Sequence, residues 1–178
     1  MSITDQLRLA IDAANLWEKG IALKRNEYLK KKDTIDTNIY FVATGALRIF
    51  VDDGFEEQTI RFGYKDNLIA ALDSFLTEQP STLYIQAIKA STLQVVTKNN
   101  FQALINGTDE LKQLWTQLLE GFVVQQMERE MDLLTSSPND RYERVLARSP
   151  RLFQEVPHKY IASYLRMTPE TLSRLKKS

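Results

Sequence analysis

The chemistry available to this chain is concentrated in its last 18 residues, IASYLRMTPETLSRLKKS. Hydroxyl and cationic side chains are interspersed there, and both kinds of group contact phosphates. Residues 139–178 hold 9 Lys and Arg against 4 Asp and Glu, whereas residues 1–138 hold 14 against 19. The formal net charge of zero therefore hides a basic segment of +5 and an acidic one of −5. This asymmetry points to polyanion binding by the basic part, with a chance distribution of charge as the alternative.

Several kinds of chemistry are excluded by residue types that are missing or rare. There is no cysteine, which excludes disulfides, thiolate zinc sites, cysteine nucleophiles and thiolate-bound iron–sulfur clusters. His158 is the only histidine, so a multi-histidine metal site or a serine–histidine enzyme is hard to assemble. We therefore expect no catalytic residue, no metal site and no cofactor. An enzyme on a cupin-like barrel is the alternative, and it would need two or three histidines at a metal.

Two short helices joined by a turn are predicted within the basic segment. "HKYIASYL" and "PETLSRLKK" are both typical of helices, and only "RMT" lies between them. This is the helix-turn-helix arrangement. Arg166 stands where the turn usually has glycine, and a non-glycine residue adopts the left-handed conformation at a cost.

Helix-capping residues mark the start of the second helix. Thr168 is a good N-cap residue, Pro169 fits the first helical position, and Glu170 is favoured near the positive end of a helix. We expect Thr171 and Arg174 to point outward, together with Lys177 or Glu170. The residues expected to pack between the two helices are Ile161, Ala162, Leu165, Leu172 and Leu175.

A long helix is predicted over residues 109–135, a stretch without proline. Apolar residues occupy a helical stripe and also lie off it, so the helix needs cover on two sides: the β domain on one, and on the other a second subunit packed as a coiled coil. A helix buried within a monomer is the alternative, but residues 1–108 offer little other helical material to cover it. The stripe is Leu111, Leu114, Leu118, Phe122, Gln125, Met127, Met131 and Leu134, and the residues off it are Trp115, Leu119, Val123 and Val124. A break follows at Pro138, with Asn139 or Asp140 as the next N-cap.

Short β-rich runs separated by turn-prone groups occupy residues 38–98. Strands with no helix-length segments between them favour an antiparallel barrel or sandwich. Gly45 is predicted to form a tight hairpin turn or a bulge. The basic run at Lys30–Lys32 is interpreted as a solvated turn. The residues expected to share one face of a strand are Leu83, Ile85 and Ala87.

The N-terminus is predicted to be an amphipathic helix rather than a signal peptide, because it lacks a basic-then-apolar pattern. No apolar run approaches the roughly 20 residues that a membrane span needs. We expect a cytoplasmic protein without a membrane partner. The apolar side of the N-terminal helix is Ile3, Leu7, Ile11 and Ala14.

The order of these parts and the closing residues resemble the Crp/Fnr family of bacterial transcription regulators, the cyclic-AMP receptor protein type. "VPHKYIASYLRMTPETLSRLKK" is the most specific element, and "SFLTEQPSTLYIQAI" looks like a diverged branch found in Bacteroidetes-type bacteria. The resemblance implies an α+β protein with an antiparallel β-roll sensor of the cyclic-nucleotide-binding type over 1–108, a dimerisation helix over 109–136 and a helix-turn-helix domain over 137–178. The positions that match the family's helix-turn-helix pattern are Ile161, Ala162, Leu165, Thr171, Leu172, Ser173 and Arg174.

The resemblance implies that the second helix of the pair reads DNA. The base-reading positions fall on Pro169, Glu170 and Arg174. Glu170 can accept from a cytosine amino group and Arg174 can donate two hydrogen bonds to a guanine, whereas Pro169 cannot, since it replaces an arginine of the best-known members. A solvated surface charge is the alternative for Arg174. The residues expected to contact phosphates are Thr168, Thr171, Ser173, Lys176 and Lys177.

A β-hairpin wing usually follows the second helix in the family. It is absent from this sequence, so we expect weaker DNA binding per subunit. The partners that the resemblance implies are double-stranded DNA, a second copy of the chain and RNA polymerase, with an unknown small-molecule effector. A ligand-binding or protein-interaction module of the same fold, without specific DNA binding, is the alternative function.

A degenerate cyclic-nucleotide pocket is expected in the β-roll. Alignment with the family's phosphate-binding cassette puts Ala70 and Ala71 in place of a Gly-Glu pair and Ser81 in place of an arginine, and only Thr82 survives. A buried phosphate without its arginine loses a charge-assisted pair of hydrogen bonds, so tight cyclic-nucleotide binding is not expected.

Two adjacent amides fall on the long helix where family members touch the ligand and the neighbouring subunit. Gln125 and Gln126 therefore either hydrogen-bond an unknown effector or pair across the dimer as polar register markers.

Overall fold

The structure, a computed structural model, describes residues 1–176. Within that range the chain forms eight strands, all paired antiparallel, in two four-stranded sheets. The strands are β1 (Ile21–Leu23), β2 (Tyr28–Lys30), β3 (Ile39–Thr44), β4 (Ala46–Asp52), β5 (Glu57–Tyr64), β6 (Leu68–Ile69), β7 (Tyr84–Ala87) and β8 (Ser91–Val96).

The two sheets enclose an apolar core, which confirms the predicted antiparallel β-roll. Their strand orders are β1-β8-β3-β6 and β2-β7-β4-β5. Ile85 and Ala87 of β7 are buried between the sheets and Leu83 packs against them, so the predicted face of this strand is confirmed. The sequence pattern does not reveal β1 and β2, because three residues are too few to show alternation.

Gly45 does not form a hairpin turn, so that alternative is wrong, whereas an irregularity in the pairing of β3 does lie directly before it, between Val42 and Thr44. Gly45 joins β3 to β4, which lie in different sheets and do not pair with each other. Its φ is +86°, in the left-handed region that glycine adopts without strain. A Cβ atom at this position would overlap the Ala90 carbonyl and the Ser91 side chain. The glycine is therefore required where the chain crosses closely from one sheet to the other.

Eight helices complete the described part of the chain, and none of them is long and apolar enough to span a membrane. The helices are α1 (Ile3–Ala13), α2 (Leu72–Thr77), α3 (Lys98–Ile105), α4 (Asp109–Leu134), α5 (Pro138–Arg148), α6 (Pro150–Glu155), α7 (His158–Tyr164) and α8 (Pro169–Leu175).

The N-terminal part supplies more helix around α4 than expected, which corrects the expectation of little helical material there. Leu7 and Ile11 of α1 are fully buried and share a core cluster with Leu118 of α4. Side chains of α2 and α3 belong to the same cluster. The predicted apolar side of the first helix is confirmed except at Ala14, which is the exposed C-cap residue.

The junction between α4 and α5 differs by a few residues from the predicted one. Pro138 is the first residue of α5, and Ser137 is its N-cap, with its hydroxyl accepting the Asp140 N–H at 3.3 Å. The predicted N-cap at Asn139 or Asp140 is wrong, because proline at the first helical position leaves the preceding serine as the last extended residue.

Candidate nucleic-acid interface

The α7–α8 pair has the predicted geometry at the turn and at the start of α8. The Thr168 hydroxyl caps α8 by accepting the Thr171 N–H at 3.2 Å, and Pro169 occupies the first turn of the helix. Arg166 lies in the turn with φ +54°, so a non-glycine residue does adopt the left-handed conformation there. Other contacts must offset the cost of this conformation.

The inner face of the α7–α8 pair is apolar and buried. Leu172 of α8 is 0% exposed and packs in one cluster with Ile161, Ala162 and Leu165, and Leu175 lies at its edge, as predicted. The same cluster includes Ala46, Phe62 and Ile88, so the C-terminal helices dock on the β-roll.

The outer face of α8 carries the side chains predicted to contact DNA. Thr171 is half-buried, and Lys177 lies outside the described residues. The Glu170 backbone amide and the Thr168 hydroxyl lower the pKa of the Glu170 carboxyl, which favours the carboxylate, a hydrogen-bond acceptor. The exposed members of the predicted set are Thr168, Pro169, Glu170, Ser173, Arg174 and Lys176.

A buried arginine from α5 holds the turn that precedes α8. The Arg141 side chain donates from Nε to the Leu165 carbonyl at 2.9 Å, from Nη1 to the Thr135 carbonyl at 2.6 Å and from Nη2 to the Arg166 carbonyl at 3.3 Å. The Leu165 carbonyl lies at the end of α7, the Thr135 carbonyl at the end of α4 and the Arg166 carbonyl in the turn. Helix ends leave carbonyl acceptors without an intrahelical donor. Arg141 therefore fixes where α8 begins.

A second buried arginine ties α7 to the sheet. Nη2 of Arg129, on α4, donates to the Tyr164 carbonyl at 2.7 Å and to the Thr59 carbonyl at 3.4 Å. Its guanidinium lies 3.7 Å from the centre of the Tyr164 ring, a cation–π contact. Neither Arg129 nor Arg141 could be recognised from the sequence pattern, since an arginine on a helix is usually solvated.

Ion pairs fasten α5 to α4. Asp132 of α4 is 0% exposed and is bound by Arg148, through two contacts, and by Arg144 at 3.3 Å. Glu128, one turn earlier, pairs with the same two arginines at 3.0 and 3.2 Å. The hydrogen bond with Asp132 raises the pKa of Arg148 above its ordinary value. The buried carboxylate is thus compensated by two cations.

The cassette residues of the β-roll are apolar or engaged with the backbone. Ala70 and Ala71 lie between β6 and α2, and Ala71 is fully buried. The Ser81 hydroxyl accepts the Leu83 N–H at 3.0 Å, whereas Thr82 is exposed. These four positions offer no charged group to a phosphate.

Lys30 is buried beside this cassette, and the interpretation of Lys30–Lys32 as a solvated turn is wrong for that residue. Lys30 is 4% exposed, and its Nζ donates to the carbonyls of Lys31 at 2.9 Å, Leu83 at 3.1 Å and Ser81 at 3.4 Å. Burial lowers its pKa. All three ammonium protons have backbone acceptors, so none is left for a ligand.

Gln125 and Gln126 lie apart from the cassette. Both line a cleft of about 360 Å³ bounded by β5, α4 and the start of α6, which none of the four cassette positions lines. The structure therefore does not bring the six predicted effector residues to one cavity.

One side of α4 exposes apolar side chains in its C-terminal half. The exposed fraction is 61% for Met127 and 76% for Leu134. Met127, Met131 and Leu134 follow one another at spacings of four and three residues, which puts them on one side of the helix on successive turns. The exposed apolar residues are Val123, Val124, Met127, Met131, Leu133 and Leu134.

Comparison with known proteins gives a family match for the β-roll and a fold match for most of the chain. Residues 21–108 match the family of the cyclic nucleotide-binding domain. No curated protein matches the sequence. Three similar solved structures cover most of this chain. They are FixK2 from Bradyrhizobium japonicum (19% identity, TM-score 0.74, 89% of this chain and 82% of that one), a CooA mutant from Carboxydothermus hydrogenoformans (15%, 0.72, 93% and 77%) and the catabolite activator protein of Thermus thermophilus (19%, 0.59, 99% and 85%).

A β-roll followed by a long helix and a group of short helices is the arrangement that the chain shares with these three proteins. Residues 21–108 match the cyclic nucleotide-binding domain, and the likeness to the three solved structures shows the fold of nearly the whole chain. This confirms the resemblance that the sequence indicated, while the narrower Bacteroidetes-like assignment stays a prediction.

Proposed function

We propose that the protein is a homodimeric, sequence-specific DNA-binding regulator of transcription. The observation that carries this proposal is the two-sided character of α8. Leu172 fixes the helix on a buried apolar base, and polar and charged side chains cover its exposed face. A recognition helix in the major groove needs this arrangement, since its inner side must be held while its outer side contacts bases.

The α7–α8 pair acts as the helix-turn-helix in this proposal, within a DNA-binding domain over 137–178. Arg174 donates to a guanine and Glu170 accepts from a cytosine, so these two residues set the sequence. Pro169 contributes contact without hydrogen bonds. The residues that position the helix on phosphates are Thr168, Thr171, Ser173, Lys176 and Lys177.

Dimerisation is assigned to the long helix over 109–136. The apolar side chains of its exposed face, with Met127 at 61% exposure, are unusual on a monomer surface. A second copy of the chain would bury them by packing the two α4 helices along each other. RNA polymerase is the further partner of a regulator of this type.

The effector is proposed to differ from a cyclic nucleotide. Ala71 is buried where the family has an acidic residue, and the Lys30 ammonium is saturated by backbone carbonyls. Calorimetric titration of the full chain with cyclic AMP should give no binding heat. Tight binding of cyclic AMP would contradict this part of the proposal.

Fluorescence anisotropy with a labelled mixed-sequence duplex pool tests DNA binding directly. The full chain should bind with an affinity that falls steeply with salt, because each phosphate contact releases counterions. Lys176→Gln should lower the salt slope by about 0.9, and Arg174→Ala should weaken binding to a selected operator about 5- to 150-fold, which corresponds to about 1–3 kcal/mol.

Arg25→Ala is the matched control. Arg25 is exposed and far along the chain from α8, so this variant removes one positive charge without touching the proposed interface. Equal losses in Arg25→Ala and Arg174→Ala would refute the base-reading role. Absence of any salt-dependent affinity would instead favour a protein-interaction module.

A further inference from the structure

The cleft bounded by β5, α4 and the start of α6 has the dimensions of a small-molecule site. Its volume is about 360 Å³. Protein sites for small molecules measure about 300–1,000 Å³ and combine apolar walls with a few convergent polar groups. Here the walls include the rings of Phe62, Phe122 and Tyr164, and the polar groups include Gln125 and Gln126.

The charge of this cleft is entirely positive. Arg61 of β5, Arg129 of α4 and Arg148 of α5 line it, and no Asp or Glu of the described residues does so. Arg148 is already paired with Asp132. For Arg61 and Arg129, no carboxylate within residues 1–176 lies at salt-bridge distance.

Arg129 keeps one nitrogen without a partner. The residue is 7% exposed, and its Nη1 is buried without a hydrogen-bond acceptor in the described part of the chain. An unsatisfied buried donor costs about 1–3 kcal/mol, and more when it is charged. The Arg61 guanidinium lies 4.8 Å from the centre of the Phe122 ring, an arrangement that leaves its N–H edges for another acceptor.

Burial disfavours the positive charge on both of these arginines. Desolvation lowers the pKa of Arg61 and that of Arg129 below the ordinary value for arginine. A nearby anion would compensate both charges at once, because opposite charges attract more strongly where water is excluded.

We propose that this cleft binds a small anion, a phosphate or carboxylate group carried on an apolar or aromatic body. Arg61 and Arg129 bind the charged group, Gln125 and Gln126 supply further hydrogen bonds, and the aromatic rings contact the body of the ligand. The effector of the proposed function thereby receives a chemical class and a place outside the cassette. The regulatory meaning of this site rests on that proposed function.

A ligand in this position would connect the sensor sheet with the C-terminal helices. Arg61 belongs to the sheet, Arg129 to α4, and Ser149, which also lines the cleft, lies between α5 and α6. A bound anion therefore stabilises the arrangement in which α7 and α8 dock on the β-roll, since the cleft exists only in that arrangement.

Isothermal titration calorimetry of the full chain at low ionic strength tests the site, with phenyl phosphate, benzoate, inorganic phosphate and phenol as probes. We expect phenyl phosphate or benzoate to bind, which identifies the charged group, and inorganic phosphate and phenol to bind more weakly, since each lacks one half of the recognition. Arg61→Gln should weaken the affinity at least about tenfold, as expected for a lost charge-assisted hydrogen bond. Arg25→Gln, with the same loss of charge outside the cleft, should change it less than about twofold.

Two outcomes overturn the proposal. One is that neither anion binds the wild-type chain with a dissociation constant below about 1 mM. The other is that Arg61→Gln and Arg25→Gln lose affinity equally, which would mean that the loss reflects the net charge of the protein and not a contact in the cleft. If circular dichroism shows that Arg61→Gln is unfolded, Arg61→Lys serves instead, because it keeps the charge and replaces the forked guanidinium by a single ammonium. An affinity of Arg61→Lys equal to that of the wild type would then overturn the role of the Arg61 guanidinium.

The test needs no DNA, so its result is separate from that of the proposed function. A chain that binds the anion without binding DNA would keep this site and refute the regulator. A chain that binds DNA with neither anion bound would refute this site alone.

Discussion

Replacing Arg141 with methionine should destabilise the protein and weaken DNA binding together, although Arg141 does not lie on the exposed face of α8. Its guanidinium donates to three carbonyls, two of them at 2.9 Å or less. A hydrogen bond from a charged donor contributes about 1.5–3 kcal/mol net. The two short bonds together contribute about 3–6 kcal/mol, and methionine removes the cost of burying a charge, which offsets part of that contribution. We therefore expect the free energy of unfolding to fall by about 3 kcal/mol.

Thermal and urea unfolding followed by circular dichroism measure this loss. For a chain of this size 1 kcal/mol corresponds to about 2–4 °C, so Tm should fall by about 6–12 °C. Operator affinity should also fall in Arg141→Met at a temperature where the variant is folded, because the turn before α8 loses the donor to the Leu165 carbonyl. Arg25→Met is the control. Coincident unfolding curves for Arg25→Met and Arg141→Met would refute the reasoning.

Three further perturbations test other features of the molecule. Met127→Glu places a charge on the exposed apolar face of α4 and should convert the dimer to a monomer, which light scattering measures. Gln117→Glu adds a charge to the same helix and should leave the dimer intact. A dimeric Met127→Glu would contradict the assigned interface. Gly45→Ala should lower the free energy of unfolding, measured in urea, by about 2–4 kcal/mol, because backbone strain and steric overlap add. Gly54→Ala is the control and should lower it by only about 1–2 kcal/mol, since Gly54 has a similar positive φ with open space around it. Equal losses in the two variants would show that the overlap at Gly45 relaxes freely. Burial raises the pKa of Tyr40 in the folded protein, so the contribution of the neutral phenol to stability is present below the unfolded pKa of about 10 and is lost as the pH rises above that value. Tyr40→Phe should therefore flatten the fall in the free energy of unfolding between about pH 9 and 11. An unchanged slope would assign that fall to other groups.

The parts of the interface that sequence could predict depend on neighbours close in the chain. The Thr168 cap contacts Thr171, three residues away. Leu172 and Leu175 are three residues apart in α8 and so lie on one face of the helix, which is why their inward orientation could be inferred from spacing. Capping and apolar spacing act over one or two turns, and a single sequence contains that information.

The buried cations could not be predicted in this way, because their acceptors come from distant parts of the chain. The Lys30 ammonium bonds the Leu83 carbonyl, 53 residues away, and the Arg129 guanidinium bonds the Thr59 carbonyl, 70 residues away. Lysine and arginine are rarely buried, so a local pattern assigns them to solvent. Only the tertiary fold supplies the carbonyls that reverse that expectation.

Gly45 shows the same limit for strand pairing. The residue type correctly indicates a special backbone conformation, and its φ is +86°. Whether the flanking strands pair is decided elsewhere, since β3 pairs with β6 and β8. A hairpin and a crossing between sheets leave the same local signal.

Arg129 of α4 and Arg141 of α5 have a mechanical consequence for the end of α4. Arg141 joins the carbonyl of Thr135, where α4 ends, to that of Leu165, where α7 ends, and Arg129 joins α7 to β5. Hydrogen bonds tolerate only a few tenths of an ångström of stretch before they weaken. Bending the connection after α4 therefore requires the Arg141 hydrogen bonds to weaken or break. Because Arg129 also ties α7 to β5, a tilt of α4 against the sheet would strain the contacts of the sheet and of the C-terminal helices together.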